Sequence, residues 1–177
     1  NQWEIDSIGR FFSNGQVLID GIAADKIFVN KNGKVMTAGD SVSLGFYYKQ
    51  LVPPSSKEAF QSDTTIYINY TGKLLNGLVF DTTDEKTAKD NGLYSSARSY
   101  EPIKIQWNKD YKEITMGSNS SSTISGFALA LSQMGAFEEG IAVFTSTYGY
   151  GNSGSGSSIP GYTPLVFEIE IVAKPED

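Results

Sequence analysis

The sequence predicts an α+β protein, an antiparallel sheet carrying a single short core helix. Three patterns support this. Residues 65–81 alternate as a strand, turn at Asn76-Gly77 and resume as a strand; Ile66, Ile68 and Tyr70 then share one face, with Tyr67 and Asn69 on the other. Near the end of the chain, Leu165, Phe167, Ile169 and Ile171 alternate with Val166, Glu168 and Glu170, a strand with one wet face. Between these, Ile124, Phe127, Leu131 and Met134 recur at helical spacing and predict a helix over 125–134, with Ser122 or Thr123 as its cap.

The remaining elements follow in order. Residues 1–15 read as a packing helix, with Ile5, Ile8 and Phe12 on one side, Trp3 and Phe11 beside them, and Asn14-Gly15 as its stop. Residues 16–40 read as short strands with a hairpin turn at Asn32-Gly33. A strand rich in aromatic residues runs over 42–51 until Pro53-Pro54 ends it. After the 65–81 hairpin, residues 82–101 form a long polar connection with one or two helical turns over 84–90, stopped at Asn91-Gly92. Alternation resumes at Ile103 and Ile105. Residues 108–122 are polar, end in a serine run and read as a flexible insertion. Residues 140–145 form an apolar strand. The Gly/Ser tract after Tyr148 lacks the Lys-Ser/Thr ending of a phosphate-binding loop, and no helix follows it.

Composition narrows the chemistry. The chain has 177 residues and a net charge of −6, with no Cys and no His. Acidity argues against a general nucleic-acid binder, because phosphate contacts need Lys and Arg. Without Cys or His there is no disulfide, no thiol nucleophile, no Ser-His-Asp triad and no ordinary transition-metal site, so neither metal nor cofactor is expected. No stretch reads as a transmembrane segment or a signal peptide, and a start at Asn1 rather than Met reads as a mature or trimmed form. Carboxylates, Lys, Tyr, Ser, backbone groups and apolar shape remain. They suit a reaction that needs no strong base or nucleophile. On the residues alone, the hairpin leaves two readings of Asp81 open: an acid at the end of a surface hairpin, or an acid set beside Tyr70 and Phe80 for chemistry.

The stretch from Tyr70 to Asp81, Tyr-Thr-Gly-Lys-Leu-Leu-Asn-Gly-Leu-Val-Phe-Asp, resembles the YTGxLxxGxxFD signature of FKBP-type (immunophilin) peptidyl-prolyl isomerases. Four further blocks are similar to that family in the same order: Pro102-Ile-Lys-Ile; Thr123-Ile-Ser-Gly-Phe-Ala-Leu-Ala-Leu-Ser-Gln-Met; Tyr148-Gly-Tyr-Gly; and Ile159-Pro-Gly-Tyr-Thr-Pro-Leu-Val-Phe-Glu-Ile-Glu-Ile. The resemblance spans roughly 44–173 and divides the chain into an N-terminal extension, 1–40, and an FKBP-like domain, 41–177. It implies an antiparallel sheet wrapped around one short helix. It also implies a pocket in which Asp81, Tyr70 and Tyr150 act on the substrate, while Phe80, Ile103, Thr123, Ile124, Phe127, Ile159 and Phe167 bind it.

Several residues depart from the family pattern. Phe127 stands where Trp is usual, Ile103 replaces a common aromatic and Thr123 a common Val; Ser155 and Ser158 occupy places where larger side chains are frequent. The implied reaction is rotation about X–Pro bonds in polypeptides, with macrolides as weak ligands. The rival readings are a non-catalytic chaperone or peptide-binding module using the same groove and, from exposed Tyr and Trp, a carbohydrate-binding surface protein. Extensions like 1–40 occur in envelope-associated bacterial members of the family, some of them lipoproteins. The resemblance therefore implies a periplasmic or outer-membrane-associated protein that meets the membrane only through a lipid anchor, a cytoplasmic member remaining the alternative.

Overall fold

The computed structural model describes residues 28–29, 35–36, 46–56, 60–61 and 63–175. The helix predicted over 1–15 lies outside the described residues, as does the start of the 42–51 strand.

A small two-stranded sheet pairs β1 (Phe28–Val29) with β2 (Val35–Met36), while the predicted Asn32-Gly33 turn lies outside the described residues. The main sheet has eight strands among the described residues. They are β3 (Phe46–Val52), β4 (Thr64–Leu74), β5 (Val79–Thr82), β6 (Ile103–Trp107), β7 (Thr115–Met116), β8 (Ser121–Ser122), β9 (Glu139–Phe144) and β10 (Leu165–Val172). All pairings are antiparallel, in the order β3-β9-β10-β4-β6-β7-β8, with β5 also on β4.

β4 organises the sheet because it is longer than any one neighbour on its far side. One edge pairs with β10 along Tyr67–Leu74. The other is divided: its first half takes β6, with Ile66 opposite Ile105, and its second half takes β5, with Thr71 opposite Thr82 and Gly72 opposite Asp81. A bulge between Gly72 and Lys73 adjusts the register. The alternation is as the sequence predicts, with Ile66, Ile68 and Tyr70 buried.

The core helix, α2 (Ser125–Leu131), lies against this face with all but its first residue buried. Seven residues make a marginal helix alone, so packing holds it. Trp107 reaches across from β6 and donates its indole N–H to the Leu131 carbonyl at 2.7 Å, satisfying one of the acceptors left open at the helix end. Phe46, Ile68, Ile105, Leu131, Phe144 and Leu165 have no exposed surface, each worth roughly 1.5–3 kcal/mol of burial.

Two expectations change. The N-cap is Ile124, which offers no side-chain cap, because Ser122 is held in β8 and the Thr123 hydroxyl donates to the Ile124 carbonyl instead. The serine-rich insertion is ordered rather than flexible: a 3-10 turn at Tyr111–Glu113 leads into the β7–β8 hairpin, which extends the sheet from β6. Its anchors are Ile114, buried in the core, half-buried Met116, and the Gly117 N–H, which donates to Lys104 at 2.8 Å. Few apolar residues in a polar stretch gave little sequence signal, yet each is placed where the sheet needs it. The 82–101 connection carries the expected helix, α1 (Glu85–Asp90), capped by Asp84, which accepts from the Thr87 N–H.

Candidate active site

The divided edge of β4 decides where the site lies. Because β5 pairs with the end of β4 near Tyr70, the Asn76-Gly77 turn carries Phe80 and Asp81 back beside that ring. Gly72 makes the approach possible: a Cβ there would sit 2.6 Å from Phe80 Cζ and 2.9 Å from Phe167 Cε1, closer than packed carbons allow. α2 supplies the opposing wall. Phe127 meets Tyr70 edge-on at 5.3 Å and Phe167 at 5.1 Å, and Phe80 stands perpendicular to Phe167 at 5.6 Å. Edge-to-face contacts fix ring orientation as well as burying area.

These rings enclose a cavity of about 280 Å3, lined by Tyr70, Phe80, Asp81, Met116, Ser122, Thr123, Ile124, Phe127, Tyr150 and Phe167. Of two larger hollows, of about 410 and 500 Å3, the first shares only Tyr70 with this cavity and the second shares none of its lining. The first is bordered by Glu139, Glu168 and Glu170, the second by Lys104 and Lys174; neither combines a wall of rings with a fixed acid. Among the described residues no group of three or more acidic side chains is placed to hold a metal ion.

Asp81 is clamped at the cavity edge. One carboxylate oxygen accepts the Tyr70 hydroxyl at 2.5 Å; the other accepts Arg98 Nη1 at 2.7 Å and the Thr82 N–H at 2.9 Å. Three donors, one of them charged, hold the carboxyl group and leave it little freedom to swing. Burial, the hydrogen bond to Asp81 and its negative charge push the Tyr70 hydroxyl far above the usual phenol range, against a smaller opposing pull from Arg98, so Tyr70 stays a donor at any physiological pH. Burial and then the charge of Asp81 also raise the Tyr150 hydroxyl.

The model of the FKBP-type peptidyl-prolyl cis-trans isomerase family matches residues 56–172. The chain belongs to that family. A probable FKBP-type peptidyl-prolyl cis-trans isomerase of Haemophilus influenzae is 28% identical over 72% of this chain and 42% of its own length. The macrophage infectivity potentiator of Trypanosoma cruzi is 27% identical over 76% of this chain and 56% of its own. The chain thus spans about half the length of these two relatives. The FK506-binding protein 1A of Aspergillus fumigatus is 26% identical over 70% of this chain and 90% of its own. A crystal structure of a peptidyl-prolyl cis-trans isomerase from Pseudomonas syringae superposes with a TM-score of 0.55 at 22% identity, covering 97% of this chain and 93% of that one, which supports the fold.

Within this FKBP-type site, eight of the ten anticipated residues line one cavity; Ile103 and Ile159 do not. Ile103 begins β6 opposite Ile68 and packs half-buried against the core; its aliphatic side chain has less reach than the aromatic common there. Ile159 is drawn into the core, held by a two-way backbone bridge with Ser155. Met116 and Ser122 from the β7–β8 hairpin line the cavity instead. Sequence reasoning missed them because it treated 108–122 as unstructured. It also missed Arg98, which lies 17 residues from Asp81 in an irregular stretch. The signal was there, since Arg98 is the one arginine in the long connection flanking the site.

Proposed function

We propose that this chain is a peptidyl-prolyl cis-trans isomerase acting on proline-containing polypeptides. The observation that carries the reading is the ring-walled apolar cavity with a carboxylate fixed by three donors at its edge. Rotation about an X–Pro bond breaks no covalent bond. Its barrier is about 18–20 kcal/mol, and the unassisted reaction takes tens to hundreds of seconds. At the top of the barrier the amide is twisted, its resonance is lost and its carbonyl is less polar. A dry apolar site therefore favours the twisted form over the planar one.

Phe80, Phe127, Ile124 and Phe167 clasp the proline ring. The Ile124 N–H and the Tyr150 hydroxyl orient the substrate carbonyls, and Asp81 presents a fixed dipole to the twisting group. Asp81 is no proton shuttle, since its oxygens are already engaged by Tyr70, Arg98 and Thr82. A protease-coupled or NMR exchange assay on a short X–Pro peptide tests this. Acceleration by the folded protein is expected; binding of proline peptides without acceleration would make the groove a chaperone-type module.

The same cavity is proposed to take macrolides of the kind named for the Aspergillus relative, leaning on Met116 as part of the rim. Residues 1–40, outside the family match, are the basis for proposing an envelope-associated, lipid-anchored protein, which cell fractionation tests.

A further inference from the structure

Arg98 poses a physical problem. It springs from a stretch with neither helix nor strand, and its side chain is about a third exposed. An ion pair at that exposure does little to hold a long side chain in one geometry, because ordering it costs about as much as the pair returns. Yet the guanidinium sits 2.7 Å from the carboxylate that the proposed reaction depends on.

The surroundings of Arg98 supply the missing constraint. Its guanidinium carbon lies 5.5 Å from the centre of the Tyr100 ring. Tyr94 stacks on Tyr100 at 5.7 Å with the planes 14° apart, and Lys89 Nζ lies 4.9 Å from the centre of Tyr94. The result is a column, cation–ring–ring–cation, standing on α1. The Tyr100 hydroxyl also accepts the Ser95 N–H at 3.0 Å, and the Ser95 carbonyl accepts the Arg98 N–H at 3.2 Å, so Tyr100 holds both the guanidinium and the turn that bears it. The other end of α1 is fixed at the same place. Asp84 caps the helix, and its own N–H donates to Thr82 Oγ1, one residue from Asp81. The connection therefore closes a loop that starts beside Asp81 and returns to it through Arg98.

We infer that Tyr100, backed by Tyr94, is a positioning residue that holds Arg98 on Asp81. The inference rests on the isomerase reading for its kinetic consequence. Its geometric content stands apart, because the column lies outside the cavity lining. Tyr94 is exposed and Tyr100 half-buried, and neither belongs to the core, so leucine at either position is expected to spare the sheet and its core.

The test uses Tyr100→Leu, Tyr100→Phe, Arg98→Leu and the double variant Arg98→Leu/Tyr100→Leu, assayed on a short X–Pro peptide. Tyr100→Leu is expected to lower kcat by roughly three- to tenfold with KM within about twofold, since the proline pocket is untouched. Tyr100→Phe keeps the stack and loses about twofold or less. In the Arg98→Leu background, Tyr100→Leu costs nothing further. Equal losses in both backgrounds, or unchanged kcat in Tyr100→Leu, would overturn the inference. The Arg98 side-chain Nε–H resonance gives a readout that needs no turnover: it is expected to be dispersed in the wild type and to collapse to the free-arginine position in Tyr100→Leu. A wild type without turnover would sink the isomerase reading, and the resonance would still decide whether Tyr100 holds Arg98; an unmoved resonance counts against it.

Discussion

Tyr48 and Tyr70 each donate a hydroxyl to a carboxylate in the same core, and the two pairs are put to different uses. The Tyr48 partner, Glu138, is 2% exposed, and its other side-chain partner among the described residues is the Gly135 N–H at 3.2 Å. Gly140 lies beneath Tyr48, where any Cβ would come within 2.3 Å of the hydroxyl. That pair is sealed. The Tyr70 partner, Asp81, has a side chain 36% exposed, opens on the cavity and carries an arginine. Both hydroxyls are raised by burial first and by their carboxylate second, but only Tyr70 has a cation pulling the other way. The same hydrogen bond is a staple where the acid is shut in with neutral donors. It becomes part of a site where the acid is ion-paired and faces an empty space.

The sealed pair should break most expensively. Tyr48→Phe leaves the Glu138 carboxylate buried with one backbone donor, which costs about 3 kcal/mol. At this chain length that is roughly 6–12 °C in Tm by calorimetry. Turnover per folded molecule should be unchanged. Loss of turnover at full stability would mean that the two pairs are coupled.

The open pair should show the reverse. Asp81→Val removes the acceptor of Tyr70 and Arg98 and is expected to lower turnover about tenfold or more, equivalent to about 1.4 kcal/mol. The melting temperature should move by a few degrees at most, because Asp81 is part-exposed. A folded Asp81→Val variant with full activity would remove the acid from the mechanism.

Alkaline titration sharpens the contrast. Both tyrosines have folded-state pKa values raised above the unfolded value of about 10. The unfolded chain therefore loses these protons first. Stability is fully present below about pH 10 and falls as pH rises beyond it, by about 1.4 kcal/mol per pH unit for each tyrosine. Denaturant melts between pH 10 and 11 should show a shallower slope in Tyr48→Phe and, separately, in Tyr70→Phe. An unchanged slope in either variant would show that its hydroxyl is not held protonated by the fold.

Much of this was legible in the sequence, for physical reasons. β4 and β10 each bury one face, so period-two alternation identified them; α2 buries nearly its whole surface and kept its apolar spacing. The Asn76-Gly77 turn and the adjoining signature placed Tyr70, Phe80 and Asp81 together. Three things stayed hidden. Glu138 is one of two adjacent acids, Glu138-Glu139, and burial of a single carboxylate leaves no periodic trace. Arg98 acts through a fold-back of the chain that local pattern cannot show. Met116 sits in a two-residue strand, too short to alternate.

Met116 gives the smallest effect and the finest test of what makes the open pair a site. The sequence placed the deficit of the cavity rim at Ile103 and Ser158, short side chains where larger ones are usual. The structure instead lines the cavity with Met116, from a hairpin that the sequence read as flexible. If that hairpin rebuilds the rim, Met116→Ala should weaken macrolide binding. Removing roughly 40 Å2 of apolar contact costs about 1 kcal/mol, or about fivefold in Kd. Turnover of a short proline peptide, which uses mainly the floor formed by Phe127 and Phe167, should change less than twofold. The sealed Tyr48–Glu138 pair sets the baseline for this comparison, since Met116→Ala should leave the alkaline slope due to Tyr48 untouched. Calorimetry with tacrolimus on the wild type, Met116→Ala and Ile103→Phe would decide between the two rims. Weakening in the first variant with no gain in the second places the rim on the insertion, whereas a gain from Ile103→Phe alone would return it to β6.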